Sequence, residues 1–230
     1  MNHLFSRGPT EDIYKTVMRS ARLISLCFAA ILGTAAGAAP DARQWEIGPI
    51  IRGKNYSQAM PLHPAPARGG WQFDFPVGSA AAGHVHYVTY QPGAIRSDSE
   101  LVVRYRVDAR PGTRFVPQET PDRPATVSLY FQRRGDNWSA RGRFEHYRWY
   151  APDATVQPIV PGEHEIRVKL NDPGWISVFG RTSGSYPEAL TAALSDIDRI
   201  GLVFGSSAAR GHGVYATAPA RFTLLSFDIL

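Results

Sequence analysis

Cysteine is nearly missing from this chain: Cys27 is the only one in 230 residues. It sits inside the apolar run from Leu23 to Gly33, so once that run is removed there is no disulfide, no thiolate nucleophile and no cysteine-based zinc site. Lysine is almost as scarce, since 22 of the 25 basic residues are arginine. Guanidinium forks suit carboxylate, sulfate or phosphate groups on a ligand, and GC-rich coding accounts for the same excess without any ligand. Beyond the N-terminal run there is no long apolar stretch, and that run is itself short for a membrane span. Charge of one sign is lacking too, with 25 basic residues set against 20 acidic ones.

The N-terminus alters this accounting. Lys15, Arg19 and Arg22 precede the apolar run, and small residues from Thr34 to Ala39 follow it. A basic segment, a short apolar core and an Ala36-Gly37-Ala38 cleavage signature spell a secretory signal peptide over residues 1–38. Met18 would begin a signal of ordinary length, so residues 1–17 are either an extended basic region or a misassigned start. Leu26 stands before Cys27 where a lipoprotein anchor needs a small residue. Cleavage leaves 21 basic and 18 acidic side chains, a net charge of +3. That balance gives no reason to expect nucleic acid as a partner, nor stable membrane insertion once the signal is gone. The expected product is a periplasmic or extracellular domain over residues 39–230, and about 190 residues suffice to bury a core without staples.

What the chain does have is turn chemistry and alternation. Glycine and proline together number 39, or 17% of the residues, which disfavours long helices. From Gln44 onward, apolar and polar residues alternate with period two between Gly, Pro, Asp and Asn clusters. About ten strands follow: 45–51, 71–75, 84–90, 101–108, 125–132, 143–150, 163–170, 175–179, 200–204 and 221–229. One short helix is expected near 186–194, opened by Ser185-Tyr-Pro-Glu188 as a capping box with proline in the first turn. The stretches 57–70 and 108–124 are the longest loops, and loops of that length often carry function. The fold class is all-β, an antiparallel two-sheet sandwich of jelly-roll type.

The block Asp198-Arg-Ile-Gly-Leu-Val-Phe-Gly205, then Gly211-His-Gly-Val-Tyr215, then Arg221-Phe-Thr-Leu-Leu-Ser-Phe-Asp-Ile229 resembles the closing strands of galactose-binding-like jelly rolls, such as carbohydrate-binding modules. The resemblance implies a last strand that pairs with the first, here Trp45 to Ile51. It also implies a sugar-binding face or loop edge and a structural calcium ion. Asp228 is the position most like the family's acidic calcium ligand, although no Asp-rich loop supplies a full set.

The densest chemistry lies in Arg143-Phe-Glu-His-Tyr-Arg-Trp-Tyr150. As a strand it would put Arg148 on one face, with Tyr147 and Trp149 on the other. Aromatic rings there could stack on a pyranose while Arg148 reads an acidic or hydroxyl group; ordinary cross-strand aromatic pairs are the alternative. Trp138 stands next to the turn Arg133-Arg-Gly-Asp-Asn137, as a loop-tip anchor or a residue buried beneath it. Arg134-Gly-Asp136 spells an adhesion tripeptide, yet the turn needs those residues regardless. His84-Val-His86 directs two imidazoles to one face, a spacing open to metal or to a polar surface. Gly211-His-Gly213 permits close backbone approach around His212. Glu163 and Glu165 alternate with Ile166, Val168 and Leu170, which reads as a solvated outer face rather than a glycosidase pair.

Three functions compete. The first is a non-catalytic, exported carbohydrate-binding or cell-envelope protein whose ligand patch is drawn from Trp138, Tyr147, Arg148, Trp149 and His86. The second is a polysaccharide-active enzyme cleaving uronate polymers by β-elimination, with His86 or Tyr147 as base and Arg148 holding the carboxylate. Alginate lyases of jelly-roll fold carry a Gln-Ile/Val-His triplet and a late-strand Tyr/Lys/Gln motif; this chain has His84-Val-His86 without that late strand. The third is a structural exported protein that docks a protein partner.

Overall fold

Alternating apolar residues need a second layer to cover them, and this chain supplies it with a second sheet. The computed structural model describes residues 39–230, so the expected signal segment, residues 1–38 with Cys27, lies outside the described residues. Along the chain run β1 (Trp45–Gly48), β2 (Ile50–Ile51), β3 (Lys54–Asn55), β4 (Ala65–Ala67), β5 (Gly70–Asp74), β6 (Tyr87–Tyr90), β7 (Glu100–Ala109) and β8 (Phe115–Pro117). Then come β9 (Thr126–Arg133), β10 (Arg148–Tyr150), β11 (Gln157–Pro158), β12 (Gly162–Lys169), β13 (Ile176–Ser177), α1 (Pro187–Leu194), β14 (Ile197–Gly205), β15 (Val214–Ala216) and β16 (Ala220–Ile229).

Two sheets carry the fold. One is seven-stranded, ordered β1-β6-β14-β9-β10-β13 with β11 also on β9; the other is five-stranded, ordered β12-β7-β16-β5-β4. All their pairings are antiparallel. The long strands β1, β5, β6, β7, β9, β12, β14 and β16 alternate between the two sheets in chain order, the connectivity of a jelly-roll sandwich. No described helix is long and apolar enough to cross a membrane.

The core fills the space between the sheets. Trp45, Trp71, Trp149 and Trp175 are fully buried there together with Tyr105, Phe131, Phe204 and Phe222. Their rings meet edge-on or stacked, as in Trp45 to Trp71 at 5.1 Å and Phe73 to Phe222 at 5.4 Å. Each ring removes about 150–250 Å² from water, about 4–6 kcal/mol by area before chain entropy is subtracted. With a single cysteine in the sequence, the described domain rests on this burial and not on disulfides.

Each of the ten alternating runs contains a strand, with three corrections. The run 143–150 is not one strand: Gly142–His146 is a 3-10 helix and only Arg148–Tyr150 joins the sheet. Gly142, at φ +57°, breaks the extended path that alternation alone would predict. The first and last strands do not pair. Instead β1 pairs with β6, and β16 lies between β7 and β5 in the other sheet. Finally, α1 begins at Pro187 with Tyr186 as its N-cap and no side-chain capping bond, so the Ser185–Glu188 box does not form. Leu190, Ala193 and Leu194 anchor the helix by burial instead.

Candidate functional site

The period of two that sends Phe131, Trp149 and Ile200 into the core sends their neighbours to the opposite face of the seven-stranded sheet. There Tyr87, Tyr130, Tyr150 and Val203 form a second buried cluster, flanked by Trp138, Ile176 and Val178. Register brings them together: Tyr130 lies opposite Tyr150, and Val203 opposite Tyr87. Above this cluster opens a cleft of about 950 Å³. Its floor includes Tyr87, Tyr150, Arg148 and Trp138, one wall holds His84, His86 and His212, and Phe179 stands on the rim.

Arg148 is the centre of the floor. Its side chain is 8% exposed, and its Nε lies 2.9 Å from Oδ2 of Asp136, whose side chain is wholly buried. The two are close enough to pair as ions, although Nε is not aligned for a hydrogen bond and Nη2 has no partner among the described residues. Asp136 is held from two other directions, by Gln132 Nε2 donating at 3.0 Å and by the Trp138 backbone N–H at 3.2 Å. Burial pushes the Asp136 carboxyl up, and the Arg148 guanidinium opposes that shift. Asp136 therefore turns inward, and the Arg134-Gly-Asp136 tripeptide is the scaffold of a turn rather than a displayed adhesion signal.

Trp138 is the one tryptophan that is not fully buried. Its ring lies 4.8 Å from the Arg148 guanidinium carbon and meets Tyr87 edge-on at 5.6 Å. Trp138 and Ala140 have φ of +62° and +54°. Non-glycine residues in that region cost about 1–3 kcal/mol each and gather where function holds them. Here the strained loop lays an indole across the sheet face.

Tyr87 and Tyr150 share a hydrogen bond between their hydroxyls at 2.9 Å. Burial raises both pKa values, so both keep their protons; one hydroxyl donates to the other, and neither is poised as a base. On the wall, His86 Nδ1 lies 2.8 Å from the Gly211 carbonyl. A carbonyl only accepts, so Nδ1 carries the proton. Desolvation, with His84 and His212 adding repulsion, lowers the His86 pKa to about 4. The ring is neutral at pH 7, and its Nε2 is buried behind Gly213 without a hydrogen-bond partner among the described residues. His212 donates from Nδ1 to Glu119 at 2.7 Å.

Two glycines make this wall. A Cβ on Gly211 would fall 2.4 Å from the Tyr87 hydroxyl, and one on Gly213 would fall 2.7 Å from His86 Nε2. Both have positive φ, +73° and +96°. The Gly211-His-Gly213 segment thus lies directly against the site. The stretch 108–124 contributes as well, since β8 pairs with β15 and leads into Gln118 and Glu119 on the cleft wall.

No protein-family model matches the chain, and no curated protein matches it.

The sequence-derived patch therefore divides. Trp138, Arg148 and His86 meet in one cleft. Trp149 is corrected: it is fully buried, stacked near His146 at 5.9 Å and donating to its carbonyl, and it faces no ligand. Tyr147 is corrected too, because it packs on Phe144 at 4.9 Å and under the Arg133 guanidinium at 5.0 Å, away from the cleft lining. Asp228 lies on β16 of the other sheet, opposite Val102. Its Oδ1 is buried without a hydrogen-bond partner. Among the described residues no group of three His, Cys, Asp or Glu, at Asp228 or elsewhere, is arranged to hold a metal ion. Tyr87 and Tyr150 were missed as site residues because a tyrosine in an apolar run reads as core.

Proposed function

We propose that this is an exported carbohydrate-binding protein whose ligand lies in the cleft on the outer face of the seven-stranded sheet. The observation that carries the reading is Trp138: a half-buried indole, held by a strained loop across a cleft floor that otherwise presents hydroxyl, guanidinium and imidazole groups. A flat ring offers a stacking surface to the C–H face of a sugar, and the surrounding polar groups suit its hydroxyls. Phe179, 64% exposed on the rim, extends that apolar surface.

A second reading, β-elimination on a uronate polymer, draws on one specific fact. His86 and Arg148 line the same cleft, as a base and a carboxylate clamp would have to. Tyr147, the other candidate base, lies outside it.

Binding of the purified protein to an immobilised polysaccharide panel tests the first reading. Retention that is lost in Trp138→Ala supports it, and equal retention of both proteins sinks it. Release of unsaturated ends absorbing in the ultraviolet from alginate or polygalacturonate would instead establish the second.

A further inference from the structure

We propose that the cleft selects an uncharged saccharide and rejects uronate polymers, an inference that rests on the carbohydrate-binding reading. The reason is that the cations of the cleft floor already have their counter-ions. Arg148 is paired with Asp136 at 2.9 Å, and Arg210, 5% exposed, is paired with Asp153 and bonded to the Ala151 carbonyl. On the wall, Glu119 accepts from His212 at 2.7 Å.

The pattern continues past Trp138. A smaller hollow of about 190 Å³ on the same face is lined by Glu46, Asp136, Asp198 and Arg199. Arg199 pairs with Glu46 at 3.4 Å, and Asp198 pairs with Arg134 at 3.1 Å. Among the described residues lining the main cleft, Lys54 is the one lysine or arginine without an ion-pair partner; its ammonium lies over the Tyr56 ring, 5.1 Å from the centroid.

A ligand carboxylate entering this site would give up its hydration beside Asp136, a buried charge of the same sign, at a guanidinium whose charge is already balanced. An ion taken out of water without a net counter-charge loses several-fold to many-fold in affinity. Like charges also act as an explicit means of rejection. A hydroxyl meets no such penalty, because it both donates and accepts. It matches what the cleft offers: the Tyr87 and Tyr150 hydroxyl pair on the floor and the Glu119 carboxylate on the wall. The half-exposed Glu119 carboxylate accepts from a ligand hydroxyl and repels a ligand carboxylate, which has no proton to give.

The test compares linkage-matched polymers that differ only in charge. Alginate and polygalacturonate, each beside its carboxyl-reduced form, together with neutral glucans, xylans, mannans and galactans, are offered to the wild-type protein at low salt and in 0.5 M NaCl, a concentration chosen at about three times physiological ionic strength. The expected result is binding of one or more neutral polymers, at least about tenfold tighter than any carboxylated counterpart and changed less than about twofold by salt. Equal or tighter binding of a carboxylated form, weakened by salt, overturns the charge inference and leaves carbohydrate binding standing. Failure of every polymer to bind overturns the carbohydrate reading, and this inference with it.

Discussion

Arg148 and Asp136 stand 2.9 Å apart on the outer face of the seven-stranded sheet, the carboxylate wholly buried and the guanidinium nearly so. One comes from the short strand β10 and the other from the turn after β9, twelve residues earlier in sequence. The pair fixes the turn that carries Trp138, because Asp136 also accepts the Trp138 backbone N–H.

Breaking that pair leaves a buried charge without its partner. Arg148→Gln and Asp136→Asn are each expected to lose about 3–5 kcal/mol of stability. The double variant Arg148→Met/Asp136→Leu is expected to lose less than the sum, since neither charge is then stranded. Urea denaturation at pH 7 measures all three, and single-variant losses under about 1 kcal/mol would mean that the pair is solvated.

The two tryptophans once grouped as ligand contacts should separate cleanly. Trp138→Ala is expected to fold and to lose about tenfold or more in glycan affinity. Trp149→Ala should instead cost about 3–5 kcal/mol of stability by opening a core cavity. Thermal denaturation beside a binding titration distinguishes them, and a Trp138→Ala protein that binds normally would remove the indole from the site.

Gly213→Ala tests the close approach on the cleft wall. Its Cβ would collide with His86, whereas Gly53, also at positive φ, has nothing within 4 Å. Gly53→Ala should cost only the backbone strain of about 1–2 kcal/mol. The Gly213 variant should cost more and should disturb ligand binding as well; equal melting temperatures for the two would contradict the steric account.

Acid should weaken the fold through His86. Its pKa is about 4 in the folded protein against an ordinary 6.5, so between those values the unfolded chain binds more protons. Stability contributed by the neutral ring is full above pH 6.5 and drains away as pH falls toward 4. The expected loss between pH 7 and pH 4.5 is about 2 kcal/mol. Denaturant titrations at the two pH values should show it in the wild type, and His86→Gln should lose less over the same interval. A pH dependence that the substitution leaves unaltered would place the titrating group elsewhere.

The long strands were legible in the sequence because alternation has one cause: a sheet with one face buried leaves a period of two, as in Leu101, Val103, Tyr105 and Val107 of β7. Strands of two or three residues, such as β8 and β15, were not legible, since so short a run carries no period. Composition and order along the chain thus determined the all-β class, the position of α1 and the density of turns. They also marked Trp138, Arg148 and His86 as chemistry-bearing residues. Only the tertiary structure decided that Trp149 faces the core, that Tyr147 lies aside, and that Asp136 turns inward to neutralise Arg148. Face assignment within 143–150 depends on where the 3-10 turn stops and the strand begins. Pairing Asp136 with Arg148 depends on register across β9 and β10, and charge balance in a cleft is a property of that register rather than of any local run of residues.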